Sequence, residues 1–247
     1  MTFITGSNNP TSWGPIGFAP NGDIYVGNSY GDIHVCVSGG SGDFVPLGST
    51  YSPKYWQHMA FNDAGDVYIV ADSNIYKRTG GTGDVVPYGQ TFQWPQGICV
   101  APNSGDIYIA LQSGSIYKQT GGAGPFVDVN VGEPTQYWSG MAANAVGDVY
   151  AGTWSGLFKQ TYGVSGFVDQ GVPFGCNDIQ ITSSGDLYVM TTSGDIYKQT
   201  GEVGAFVNIN QKWKPWTKFD VDGSGNIWTT ISSGGGVYRL LFNEMSM

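Results

Sequence analysis

Histidine is the side chain whose proton affinity lies nearest neutrality, and this sequence contains two, His34 and His58. His58 stands one residue ahead of an apolar position, Met59, and the same place in two later segments holds Asp178 and Lys218. A histidine brought together with a carboxylate and an ammonium would have the makings of a general acid-base site. Against that chemistry, no Gly-x-Ser-x-Gly nucleophile elbow occurs, and no repeated set of acidic groups accompanies the histidine to hold a metal. The three residues are expected to line a solvated channel, and no catalytic residue is assigned.

The carboxylates are patterned more strictly. Gly-Asp or Gly-Asn pairs recur at Gly22-Asp23, Gly65-Asp66, Gly105-Asp106, Gly147-Asp148, Gly185-Asp186 and Gly225-Asn226, 38 to 43 residues apart. A glycine in a left-handed turn followed by a carboxylate that bonds nearby backbone accounts for them without a metal. Asp220-Val221-Asp222-Gly223-Ser224-Gly225-Asn226 has the alternating oxygens of a calcium loop, but its twelfth position is Ile231, where a bidentate glutamate belongs. No metal site and no cofactor are expected. Basic residues also recur, at Lys77, Lys118, Lys159, Lys198 and Arg239, and are expected to guard a sheet edge against pairing.

The elements that carry these residues follow from the repeat. Around each Gly-Asp pair, four short runs of β-branched and aromatic residues are separated by Gly, Asn, Asp and Ser clusters, as in the stretch from Trp94 to Val129. Four strands (a to d) per period of about 40 residues predict an all-β, six-bladed β-propeller with four-stranded blades, one domain spanning 1–247. The sixth unit lacks its d strand, and Thr2-Phe3-Ile4-Thr5-Gly6-Ser7 matches the d strand of other units. The N-terminal strand is therefore expected to close the last blade.

The phrases Gly105–Tyr108, Ile116–Val127 and Ile196–Val207, with Trp opening most units, resemble tectonin-type propeller repeats and similar repeats of tailed-phage virion proteins. The resemblance implies a ring that binds a ligand or partner, lectin-like in tectonins and structural or adhesive in phages. Unit five departs from it with Gly175-Cys176 in place of Trp, and unit one with Ile33-His34-Val35 in place of the Tyr-Lys phrase.

Binding is expected in the irregular connections. The d–a segments around Tyr55-Trp56, Phe92-Gln93-Trp94, Tyr137-Trp138 and Trp213–Trp216 pair aromatics with polar residues. One repeated Trp is expected to wedge between blades. The additional aromatics are not required by the repeat, so Tyr30, Tyr55, Tyr137, Trp154 and Trp213 are the expected binding anchors, all on the face shared by d–a and b–c connections.

Composition bounds the partners. Ten basic against nineteen acidic residues give a formal charge of −9, which repels a phosphate backbone, so nucleic acid is not an expected partner. No run approaches the length of a spanning helix, so membrane insertion is not expected. The opening residues carry neither a basic nor an apolar leader segment, so no signal peptide is expected and the location is a virion or a cytoplasm. The function expected is non-catalytic: a binding or structural propeller, such as a phage appendage or tail-associated adhesin, meeting other virion proteins or a host surface glycan. A tectonin-type lectin and a channel-mouth lyase or hydrolase are the alternatives.

Overall fold

The protein is described by a computed structural model, which covers residues 2–3, 12–28, 31–37, 42–48, 55–130, 137–209, 216–231 and 236–240. It is all-β, with six four-stranded antiparallel sheets that form the blades of a β-propeller. Blade 1 runs β2 (Trp13–Phe18), β3 (Ile24–Asn28), β4 (Ile33–Cys36), β5 (Val45–Pro46). Blade 2 runs β6 (Trp56–Phe61), β7 (Val67–Ala71), β8 (Asn74–Arg78), β9 (Val86–Pro87), and blade 3 runs β10 (Pro95–Val100), β11 (Ile107–Leu111), β12 (Ile116–Gln119), β13 (Val127–Asp128). Blade 4 comprises β14 (Trp138–Ala143), β15 (Val149–Thr153), β16 (Leu157–Gln160), β17 (Val168–Asp169), and blade 5 comprises β18 (Cys176–Ile181), β19 (Leu187–Thr191), β20 (Ile196–Gln199), β21 (Val207–Asn208). Blade 6 has β22 (Trp216–Val221), β23 (Ile227–Ile231) and β24 (Gly236–Leu240), completed by β1 (Thr2–Phe3) through the register Thr2↔Arg239 and Phe3↔Tyr238. The expected closure by the N-terminal strand is thus observed.

Contacts gather the chain into two compact units, one of residues 1–88 with 214–247 and one of residues 89–213. In each unit the core lies between the blades. The second strands β7, β11, β15, β19 and β23 are buried along their whole length, mostly by apolar side chains with buried threonines in β15, β19 and β23; the outer strands β5, β9, β17 and β21 are exposed. The wedge Trp is real in blades 1, 2, 4 and 6, where Trp13, Trp56, Trp138 and Trp216 open the first strand and are buried. Blade 3 corrects the expectation. Register puts Pro95, opposite Leu111, where Trp138 stands opposite Thr153, so Trp94 lies one residue outside the wedge and is exposed.

The Gly-Asp pairs are turns, but the carboxylate does more than shape its own turn. The backbone N–H of Asp66 is taken by Asn62 Oδ1 at 2.8 Å, and Asn144, Thr182 and Asp222 play the same part for Asp148, Asp186 and Asn226. That leaves the Asp free to reach the c–d turn: Asp66, Asp106, Asp148 and Asp186 accept the N–H of Gly80, Gly121, Tyr162 and Gly201 at 2.7–3.0 Å. Their second oxygens meet the recurring lysines at 2.6–2.8 Å, Asp66 with Lys77, Asp106 with Lys118, Asp148 with Lys159 and Asp186 with Lys198. Each ammonium also lies 5.1–5.4 Å from the centroid of a strand-b tyrosine, Tyr68, Tyr108, Tyr150 or Tyr188. The lysines therefore stitch strands b and c to the c–d turn, rather than acting only as edge guards.

Candidate functional site

The first-strand register of blade 4 builds an aromatic site at the end of the sheet where b–c and d–a connections emerge. Trp138 pairs with Thr153, so the residues just beyond that rung, Tyr137 and Trp154, are held side by side. In blades 3 and 5 the equivalent neighbours continue the backbone ladder: Gln112 N–H donates to the Trp94 carbonyl at 2.9 Å and Thr192 N–H to the Gly175 carbonyl at 3.3 Å. In blade 4 the two side chains stack instead, with ring centroids 6.1 Å apart and planes 25° from parallel. Both are open to solvent, Tyr137 at 62% and Trp154 at 71%.

The b–c turn under Trp154 is fixed from two sides. Thr153 Oγ1 accepts the N–H of Gly156 at 3.0 Å, and Gly156 O accepts the Thr153 hydroxyl at 3.2 Å. From blade 5, Gly175 approaches so closely that a β-carbon there would run into the Trp154 carbonyl. Absence of a side chain at 175 is what lets the Trp154 main chain lie where it does.

Of the five expected anchors, the structure brings together Tyr137 and Trp154. Tyr55, at the equivalent place in blade 2 ahead of Trp56, is 46% exposed. Tyr30 and Trp213 lie outside the described residues. A further exposed aromatic, not among the expected anchors, is Trp94: 68% exposed, it occupies the position of Tyr55 and Tyr137 and adopts φ 55°. A left-handed backbone at an exposed tryptophan is unfavourable by roughly 1–2 kcal/mol and marks a position worth a functional test. Pro95, the residue after it, takes the first-strand place that Trp56 and Trp138 hold in their blades and is buried there.

The acid-base candidates are divided between the two units, His58 and Lys218 in one and Asp178 in the other. Burial, and then the Lys218 ammonium, hold the His58 imidazole well below its ordinary proton affinity, so it is neutral at pH 7. Asp178, in the other unit, is buried, and its Oδ1 accepts the Ile179 N–H at 3.1 Å. In the calcium-like segment the Asp222 oxygens accept N–H groups from Ser224 (2.9 Å), Asn226 (2.9 Å) and Trp228 Nε1 (3.0 Å), an arrangement of donors rather than of cation ligands. Among the described residues, no group of three or more His, Cys, Asp or Glu gathers as a metal site would require. Cys36, Cys99 and Cys176 are buried and form no disulfide, and burial pushes the Cys176 thiol up to about 12. No helix is long and apolar enough to cross a membrane among the described residues.

No family model matches the chain, and no curated protein matches it. Solved structures share its fold. A virginiamycin B lyase from Staphylococcus aureus is 15% identical with a TM-score of 0.66, covering 99% of this chain and 85% of its own. YCF48 from Cyanidioschyzon merolae is 12% identical with a TM-score of 0.64, covering 96% and 84%. A protein of unknown function from Bacteroides thetaiotaomicron is 10% identical with a TM-score of 0.72, covering 96% and 74%. At these identities the likeness is one of fold: the class is the six-bladed β-propeller, a scaffold on which unrelated activities are built.

Proposed function

We propose that this chain is a non-catalytic recognition propeller whose partner docks on the face bearing the b–c and d–a connections. The carrying observation is the exposed Tyr137–Trp154 stack, an aromatic surface of large area and few torsions that neither wedge packing nor the strand ladder requires. Trp94, in the same unit, extends the set of anchors. A host surface glycan suits this surface, since sugar rings stack on aromatic faces; the repeat phrases favour a tectonin-like lectin or a phage virion component meeting other virion proteins.

A glycan array and pull-down against virion proteins, each run with wild-type protein and with Tyr137→Ala and Trp154→Ala, test the reading. Each substitution is expected to weaken binding by about 1–2 kcal/mol while the melting temperature holds. Variants that bind as wild type, or binding abolished instead by charge reversal at Lys118, would move the docking site elsewhere. Turnover lost on His58→Ala would replace the reading with the channel-mouth lyase or hydrolase.

A further inference from the structure

Blade 5 breaks its repeat where a glycine belongs. The c–d turns read Thr79-Gly80-Gly81, Thr120-Gly121-Gly122 and Thr161-Tyr162-Gly163, and their third residues have φ of 65°, 64° and 63°. In blade 5 the third residue is Glu202, at φ 59°. That conformation is unfavourable for any residue with a β-carbon. At Gly163, moreover, a β-carbon would collide with the Tyr108 hydroxyl of the preceding blade. Glu202 is tolerated because its side chain engages the preceding blade. Asn144 Nδ2 donates to its two oxygens at 2.8 and 2.9 Å, and the Tyr150 hydroxyl donates to Oε2.

The charges there do not balance. Lys159 Nζ is 2.6 Å from Asp148 and 3.6 Å from Glu202, so one ammonium faces two carboxylates, whereas Lys118 is paired with Asp106. Burial, then hydrogen bonds to Asp148 and Tyr150, act on Lys159, and the net result raises its proton affinity, so the ammonium stays charged and committed to Asp148. Tyr150, Lys159 and Glu202 line a cleft of about 400 Å³ between blades 4 and 5. Phe174, Tyr197 and Phe206 form the aromatic part of its wall, with Phe174 stacked on Tyr197 at 4.3 Å and 22°.

A carboxylate in surplus beside aromatic faces is the chemistry that recognises an organic cation. The rings attract positive charge through their quadrupoles, the carboxylate accepts charge-assisted hydrogen bonds, and a protein of formal charge −9 draws cations toward it. We infer that this cleft is a binding site for a small organic cation, an ammonium or guanidinium on an apolar stem, with Glu202 as its counter-ion and the Phe174–Tyr197 stack against its stem. Neither Tyr137 nor Trp154 lines the cleft, so the site is independent of the loop-face partner.

Calorimetric titration of the full chain with n-pentylamine, agmatine, n-pentanol and glucose tests it. The two cations are expected to bind saturably at pH 7, more weakly as salt is added, and at least tenfold more tightly than pentanol or glucose. Glu202→Gln keeps an acceptor for Asn144 and Tyr150 while removing the charge, and is expected to weaken the cations about tenfold or more. Phe174→Leu keeps an apolar side chain without the aromatic face and provides a second probe, expected to weaken them several-fold; Val127→Ala, at an exposed residue outside the cleft, is expected to change nothing. Failure of the wild-type chain to bind either cation, equal binding of pentanol or glucose, or cation affinity unchanged in Glu202→Gln or Phe174→Leu would overturn the assignment.

Discussion

Asp106 bonds the Gly121 N–H with one oxygen and Lys118 with the other, so a single side chain joins two turns and the third strand. Asp106→Asn leaves the Lys118 ammonium without its anion and is expected to destabilise the fold by about 1–3 kcal/mol, read as a fall in urea midpoint at unchanged slope. The same network bears on the pH window. Burial alone would raise the carboxyls of Asp66 and Asp148, but Lys77 with Gly80, and Lys159 with Tyr162, outweigh it and hold both below the ordinary value of 3.8. A folded value below the unfolded one means stabilisation that is complete above the carboxylate range and is lost as pH falls through the folded value. The lysines run the opposite way: burial would lower Lys77, Lys118 and Lys198, yet their Asp and Tyr partners raise them above 10.5, so their contribution is complete below that pH and fails as it rises further. Burial also holds His58 and His34 below 6.5 and pushes the Cys99 and Cys176 thiols above 9.0, so the imidazoles withdraw stability as pH falls below about 7 and the thiols as it rises above about 8. Stability is therefore expected to be level from about pH 7 to 8 and to decline on both sides, as thermal melts across pH would record. Both halves of each pair recur visibly in the sequence. Their meeting was not legible, because it depends on the b–c register that sets Tyr108 opposite Lys118, with Asp106 two residues before.

At the level of strands and their connections, one residue of register separates a wedge from an anchor. Trp56 and Trp138 are buried while Trp94, which reads like them in the sequence, is exposed, because β10 begins its ladder at Pro95. Four-strand periodicity and turn composition made strand identity legible, but a bulge after the first rung of β10, and of the other first strands, is a geometric event without a composition of its own. The support of Trp154 by Gly175 was equally silent, since Gly175-Cys176 reads in the sequence as the loss of a tryptophan. Gly175→Ala is expected to displace the Trp154 turn, at a cost of about 1–3 kcal/mol, and to weaken partner binding although residue 175 carries no side chain to a partner. Unchanged Trp154 fluorescence and unchanged binding in that variant would refute the link between the two blades.

Across the molecule, the architecture was readable from the single irregular unit: three strands after Trp216 and a spare one at the start imply the pairing of β1 with β24 that the structure contains. Deleting residues 1–8 removes the outermost strand of blade 6, with hydrogen bonds worth roughly 0.5–1.5 kcal/mol each. The truncated protein is expected to melt earlier and to self-associate through the bared edge of β24, which light scattering beside a thermal melt would detect. The same pairing orders events in time. Blades 3, 4 and 5 are each built from consecutive residues, so every rung in them closes a short loop. Blade 6 must bring residues 2–3 to residues 238–239, the most distant closure in the chain, with the largest entropy to overcome. Blade 6 is therefore expected to close after blades 3, 4 and 5, and until it does the edge of β24 stays open to capture.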